Sequence, residues 1–95
     1  MAKYLVTYDL KTSYNNDRSA DYNNLYNKLN SLKSCVKLTE SSCMVETVKT
    51  HLELGNYLMS VLNNNDSLFV GTLSTPAAWN HCLSSDYQIN CFFDR

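Results

Sequence analysis

The chain is short of the features that mark several large classes of protein. Its 95 residues include only two glycines and one proline, which leaves no glycine-rich loop of the kind that holds a phosphate. No apolar run approaches the ~20 residues that a membrane-spanning helix needs. The opening MAKYLVTYDL also lacks the long apolar stretch of a signal peptide. We therefore expect a cytoplasmic protein with no membrane partner.

A strong charge imbalance and a zinc-binding cysteine pattern are also missing. Eight basic and nine acidic side chains give a formal net charge of −1, and this balance argues against strong duplex binding because non-specific affinity comes from neutralised phosphates. The four cysteines, Cys35, Cys43, Cys82 and Cys91, contain no pair with the two-residue spacing of a zinc knuckle. We expect reduced thiols in the core or at the surface.

What is present fits one small globular domain spanning 1–95. Apolar residues make up 44% and aromatic residues 12% of the chain, which is typical of a folded protein and not of a disordered one. A chain of this size buries only ~60–65% of its unfolded surface. Since a second copy would cover apolar surface that one small sheet leaves exposed, we expect a homodimer.

The first half of the chain predicts a strand followed by a helix. Residues 3–9 alternate and are rich in tyrosine and valine, as in a half-buried strand. Apolar residues then recur at helical spacing, which predicts a helix over 20–33. Ser19 or Asp21 is the predicted N-cap of this helix.

A hairpin and a second helix follow. The short extended runs 35–38 and 43–47 are joined by a polar turn, which indicates an antiparallel hairpin. Thr50 and Glu53 then have the spacing of a capping box. Apolar residues beyond them predict a helix over 51–62.

The last third of the chain predicts a fourth strand over 67–73. Thr75 and Pro76 resemble a cap and first helical residue, so we expect one short helical turn to 79. The alternation of Tyr87–Phe93 is imperfect, and this segment is a candidate fifth strand.

This order of elements predicts an α+β fold with the order β-α-β-β-α-β. Such a chain forms a four-stranded antiparallel sheet with two helices on one face. The opposite face of the sheet then needs a cover, and we expect a second copy or a ligand there.

Five segments in this order carry a resemblance to a known family. Together they cover about residues 3–80, and the chain resembles the CRISPR-associated Cas-two family of small dimeric metal-dependent nucleases. The final AAW resembles the ending of a divergent, stand-alone branch of Cas-two-like proteins. The segments are YLVTYDL at 4–10, DYNNLYNKLNSL at 21–32, KLTESSCMVET at 37–47, NDSLFVGTL at 65–73 and AAW at 77–79.

The resemblance implies a ferredoxin-like fold, a homodimer and a metal site at Asp9. In the family, the acidic residue that ends the first strand lies near the dimer axis and can hold a divalent ion with its symmetry mate. The related VapD-type endoribonucleases are small dimers with the same acidic position. A C-terminal strand of the family often crosses to the partner's sheet, which is the role implied for Tyr87–Phe93.

Four residues are the candidates for chemistry. Asp9 is the candidate catalytic residue and ligand of Mg²⁺ or Mn²⁺; the alternative is a surface aspartate that caps a loop. Ser42 matches the serine of the family's hairpin and is a candidate phosphate contact, or it completes the hairpin. Lys11 and Arg18 are candidate phosphate contacts, with a solvated loop charge as the alternative for each.

Three functions remain open from the sequence. The first is a metal-dependent endonuclease or nucleic-acid-binding dimer of Cas-two type, acting on RNA or DNA. The second is a non-catalytic module that binds a partner protein. The third is a dimer that binds a nucleotide, for example a viral counter-defence protein that sequesters a signalling nucleotide inside an infected host cell. Asp9→Ala separates the first from the second, and thermal stabilisation by nucleotides identifies the third.

Overall fold

The order of the elements follows the hydrophobic pattern of the sequence. The computed structural model describes residues 1–12 and 17–94, and within them the predicted α+β, ferredoxin-like order β-α-β-β-α-β is confirmed. One further helix follows the last strand. The elements are β1 (Ala2–Asp9), α1 (Ser19–Asn30), β2 (Ser34–Thr39), β3 (Ser42–Thr47), α2 (His51–Met59), β4 (Ser67–Thr72) and α3 (Asp86–Phe93).

The four strands form one antiparallel sheet in the order β2-β3-β1-β4. β1 is central and pairs with β3 on one side and β4 on the other. Its last residue, Asp9, lies opposite Ser67 at the start of β4. β2 and β4 are therefore the edge strands. The pairing of β2 with β3 shifts between Lys37 and Thr39, which places a bulge near the end of β2.

The inner face of the sheet packs against α1 and α2, as predicted. Side chains of a strand alternate between its two faces, so every second residue of β1 points toward these helices. Leucines spaced three to four residues apart on each helix meet them. The buried residues of this core include Tyr4, Val6, Tyr8, Leu25, Leu29, Leu54 and Leu58.

Of the two predicted N-caps, that of α2 is confirmed and that of α1 is wrong. The capping box of α2 is confirmed, because the amide of Glu53 donates to Thr50 Oγ1 at 3.2 Å and the amide of Thr50 donates to Glu53 Oε1 at 2.8 Å. The predicted cap of α1 is wrong. Arg18 occupies the N-cap position without a side-chain capping bond, while Ser19 and Asp21 lie inside the helix.

Both helices end earlier than their apolar pattern predicts. α1 ends at Asn30 and α2 at Met59, because each final turn tightens into bonds to the third residue back. The amide of Leu32 donates to the carbonyl of Leu29, and the amide of Leu62 donates to the carbonyl of Met59. Leu32 and Leu62 still pack on the core, which explains why the periodicity continues past the helices.

The segment Tyr87–Phe93 is helical, so the prediction of a fifth strand is wrong. Ser85 and Gln88 form a second capping box at the start of α3, with bonds of 3.2 and 2.9 Å. Ile89 and Phe92 then lie one helical turn apart and are both buried. Three-residue spacing places two side chains on one face of a helix but on opposite faces of a strand, so burial of both favours the helix.

α3 covers the part of the outer sheet face that lies over β2 and β3. Ile89 and Phe92 pack with Met44 of β3 to form a second core cluster. The predicted helical turn over 75–79 is absent from the structure; this segment is irregular. Trp79 stacks on Phe93 with ring centroids 6.1 Å apart and anchors the segment.

Membrane insertion through a helix finds no support in the fold. Within residues 1–12 and 17–94, every helix is too short or too polar to cross a bilayer.

The part of the outer sheet face that lies over β1 and β4 is not covered by α3.

Candidate metal and phosphate site at the end of β1

Asp9 lies on the outer face at the end of the central strand. Alternation turns Tyr8 inward, where it is buried, and turns Asp9 outward. Tyr8 packs in the core, edge-on to the Tyr26 ring, and its hydroxyl donates to the carbonyl of Glu40 at 3.3 Å. The Asp9 side chain is 66% exposed. Its carboxylate is therefore available to a ligand or a second molecule.

A shallow pocket of about 340 Å³ opens beside Asp9. Thr7, Ser67 and Phe69 share the outer face with Asp9, since Thr7 pairs with Phe69 and Asp9 pairs with Ser67. Phe69 is 59% exposed, an unusual state for an aromatic side chain in a sheet. We call these four residues, Thr7, Asp9, Ser67 and Phe69, the open strip. It combines one carboxylate, two hydroxyls and one aromatic ring.

Lys11 is the basic group next to Asp9. Its Nζ lies 3.3 Å from Asp9 Oδ2, and both side chains are exposed. An exposed ion pair of this kind contributes only ~0–1 kcal/mol, so a cation or a phosphate can compete for either partner. The exposure of Lys11 matches the alternative of a solvated loop charge. Its contact with phosphate stays a prediction.

Arg18 is not a solvated loop charge. Its side chain is buried, and the guanidinium forms a two-point ion pair with Asp66, at 2.9 Å from Nη1 to Oδ1 and 2.7 Å from Nη2 to Oδ2. Nη1 also donates to the carbonyl of Lys11 at 2.7 Å, and Nε donates to Asp21 at 2.6 Å. The donors of Arg18 are directed into the protein, so we leave Arg18 out of the candidate site.

Asp66 is a structural residue that the sequence analysis does not single out. It accepts the amides of Lys11 at 3.0 Å and Asn63 at 2.8 Å, in addition to the Arg18 guanidinium. The bond from Arg18 holds the pKa of the Asp66 carboxyl well below its usual range, against the opposing effect of burial. Asp66 therefore ties the chain after Asp9 to the α2–β4 turn.

Ser42 lies at the same end of the sheet as Asp9. It begins β3 and pairs with Thr7 of the open strip. Its Oγ shares a 2.7 Å hydrogen bond with Thr39 Oγ1 across the β2–β3 hairpin. This bond matches the alternative role of completing the hairpin. A hydroxyl oxygen has two lone pairs and one hydrogen, so the bond to Thr39 leaves Ser42 with capacity for two further contacts.

One copy of the chain offers too few ligands for a metal centre. Among residues 1–12 and 17–94, no group of three or more histidine, cysteine or acidic side chains is close enough to hold an ion. Glu46, the other acidic residue that the strands place on the outer face, is buried. Mg²⁺ commonly takes one or two protein carboxylates and keeps several waters. Asp9 supplies one such carboxylate, and a second would have to come from another molecule.

Comparison with known proteins adds no assignment. No family model matches the chain, and neither the curated proteins nor the solved structures contain a match to it. The functional argument therefore depends on the fold and on the placement of Asp9, Lys11 and Ser42 at one end of the sheet.

Proposed function

We propose that the chain acts as a homodimeric, metal-dependent endonuclease or nucleic-acid-binding protein of Cas-two type. The supporting observation is the position of Asp9, an exposed carboxylate at the end of the central strand, on the part of the outer face that α3 leaves open. Two Asp9 carboxylates, one from each copy, would hold one Mg²⁺ or Mn²⁺.

The open strip supports the proposed dimer. In a two-fold interface the same patch meets itself, so a second copy would bury the exposed Phe69 of each protomer against the other. Phe69 lies two residue pairs from Asp9 along the β1–β4 ladder, at the next position on the same face. An interface centred on Phe69 would therefore bring the two Asp9 carboxylates toward each other.

The negative charge of two neighbouring Asp9 carboxylates is the reason to expect a bound cation. Two carboxylates held close together repel each other unless a proton or a cation lies between them. Bound there, the ion would supply Lewis-acid stabilisation and an activated water for phosphodiester hydrolysis. Lys11 and Ser42, at the same end of the sheet, would orient the nucleic-acid backbone through its phosphates.

We expect Asp9→Asn to abolish Mn²⁺-dependent cleavage of single-stranded RNA or DNA while the dimer persists. Loss of residues that only support a metal ligand costs 10–100-fold, so loss of the ligand itself should lower activity by at least about 100-fold. The assay compares Mg²⁺, Mn²⁺ and a chelator. Asp94→Asn is the matched control, because Asp94 is also exposed and lies at the end of α3. Equal cleavage by both variants would overturn the role of Asp9.

We expect Phe69→Ser to dissociate the dimer without unfolding the chain. Because Phe69 is largely exposed in one copy, its removal costs the monomer little, whereas removal of a central aromatic anchor weakens an interface by at least about tenfold in Kd. Sedimentation equilibrium measures the change. Leu52→Ser is the control, since Leu52 is 68% exposed on α2, on the other side of the sheet. A wild-type chain that is monomeric at high concentration would contradict the dimer.

A non-catalytic interaction module is the second candidate. It is favoured by the small number of metal ligands in one described copy and by the edge strand β4, which pairs with β1 on one side only. An unpaired strand edge can accept a strand from a partner protein. Binding of a partner that survives Asp9→Asn, together with an inactive wild-type protein, would favour this candidate over the nuclease.

A further inference from the structure

Two cysteines lie side by side on the inner face of the sheet. Cys43 of β3 pairs with Lys37 of β2, and Cys35 of β2 pairs with Val45 of β3. Cys35 and Cys43 are therefore diagonal neighbours on one face, with Cα atoms ~7–8 Å apart, so a disulfide between them requires a small backbone shift. Cys43 is buried, whereas Cys35 is partly exposed.

Both thiols line a cavity between α1 and the sheet. The cavity has a volume of about 240 Å³, and Tyr8, Tyr26 and Lys37 contribute to its walls. The Lys37 ammonium lies 4.3 Å from the centroid of the Tyr26 ring, a cation–π contact that holds the positive charge at the cavity. A partly accessible thiol beside a cation is the environment of a reactive cysteine.

The two thiols have opposite acid–base character. The hydrogen bond from Cys43, helped by the charge of Lys37, lowers the pKa of Cys35 although burial opposes this change. The same hydrogen bond, together with burial, raises the pKa of Cys43. Cys35 therefore loses its proton more readily than an ordinary thiol, whereas Cys43 keeps its proton.

We propose that Cys35 is a nucleophilic thiol that reacts with hydroperoxides, and that Cys43 is its resolving thiol. The Cys35 thiolate would attack a peroxide oxygen, so that an S–O bond forms, the O–O bond breaks and hydroxide leaves. The Cys43 sulfur would then attack the Cys35 sulfur. An S–S bond forms, the S–O bond breaks and the Cys43 proton leaves with the hydroxyl as water. Overall, two thiols lose two electrons and hydrogen peroxide becomes two waters.

The position of Cys35 on an edge strand makes the second step feasible. A disulfide needs sulfurs ~2.05 Å apart, closer than a thiol–thiol hydrogen bond. Among the described strands β2 pairs with β3 alone, and its pairing shifts just after Lys37. The carbonyls of Lys37 and Leu38 also accept the amides of Ser84 and Leu83, at 3.1 and 2.9 Å. These bonds lie beyond Cys35, so the first residues of β2 can shift relative to β3 without displacing another strand.

Peptide mapping of the oxidised full-length chain tests the pairing. Cleavage after Lys33, Lys37 and Lys49 places the two cysteines in separate peptides, 34–37 and 38–49. We expect hydrogen peroxide to join these peptides and a reductant to separate them. We expect Cys43→Ser to accumulate a sulfenic acid at Cys35 that dimedone traps. A disulfide between other cysteines, with none joining these peptides, would overturn the proposal.

Competitive alkylation of the wild-type protein tests reactivity without any variant. At neutral pH we expect Cys35 to react with iodoacetamide at least about tenfold faster than Cys82 and Cys91, because the thiolate is the nucleophile. Its rate should reach half its maximum below pH 9.0, the ordinary value for a thiol. A rate for Cys35 no faster than that of Cys82 would overturn its role as the reactive thiol.

Discussion

Asp66→Ala is expected to lower the melting temperature of the protein by about 10 °C or more. The Asp66 side chain is only 1% exposed and accepts two charged bonds from Arg18. Its removal would leave the guanidinium buried without its main counter-charge, which is far more costly than loss of a surface pair. The amides of Lys11 and Asn63 would lose their acceptor in the same step. Thermal unfolding followed by circular dichroism measures the change.

Asp9→Ala is the control for this experiment. It also removes an aspartate that is paired with a basic side chain, but both partners are exposed, so the melting temperature should change by less than about 3 °C. The double variant Arg18→Met, Asp66→Leu should recover part of the loss, since an apolar pair leaves no buried charge. Equal shifts for Asp66→Ala and Asp9→Ala would contradict a buried ion pair.

The same ion pair predicts how stability depends on pH. Arg18 holds the pKa of folded Asp66 below the ordinary value of 3.8, so the unfolded chain binds the proton more readily than the folded one. The stabilisation is therefore fully present above that value and is lost as the pH falls below it. The difference in melting temperature between the wild type and Asp66→Asn should shrink in acid. A constant difference from neutral pH to pH 3 would contradict this linkage.

Features of the fold that depend on neighbours in sequence could be predicted. The alternation of β1 gives the inward position of Tyr8 and the outward position of Asp9 correctly, because strand geometry alone determines it. The capping box at Thr50 and Glu53 is likewise a bond between residues three apart. In both cases the physical cause lies within a few residues of the feature, and the sequence contains it.

The sequence of α3 contains a local signal for a helix, its capping pattern, but the residues that follow favour a strand more strongly. Ser85 and Gln88 repeat the capping pattern of α2, yet the tyrosine, isoleucine and phenylalanines that follow are typical of strands. A short apolar segment can fit the period of a helix as well as that of a strand. The segment forms a helix because Ile89 and Phe92 are both buried against Met44, a residue in a different part of the chain.

The role of Arg18 had no local signal at all. Its partner Asp66 is 48 positions away, and each residue alone looks like an ordinary loop or turn charge. For the candidate site, the sequence names Asp9, Lys11, Ser42 and Arg18 one by one. The register of the strands then brings Asp9 and Ser42 to one end of the sheet, with Lys11 beside Asp9. Only tertiary packing removes Arg18 from that surface and shows which part of the outer face α3 leaves open.

Phe92→Ala is expected to destabilise the protein by about 3–5 kcal/mol, the usual cost of removing a large buried aromatic side chain. Phe92 is 0% exposed and packs with Ile89 and Met44 on the outer face of the sheet. The Lys3 ammonium also lies over its ring, 5.3 Å from the centroid. Urea unfolding measures the loss. Tyr87→Ala is the matched control on the same helix, and because Tyr87 is 77% exposed its removal should have little effect.

Trp79 provides a direct report on the docking of α3. It is the single tryptophan of the chain, and it stacks on Phe93 while its Nε1 donates to Asp86 at 3.1 Å. In Phe92→Ala we expect its emission to shift toward that of a solvated indole, because α3 loses its main anchor. In the wild type, the urea transitions of Trp79 emission and of circular dichroism should coincide if α3 unfolds together with the sheet. An earlier Trp79 transition would mean that α3 detaches first, and the covered part of the outer face would then become available to a partner along with the open strip.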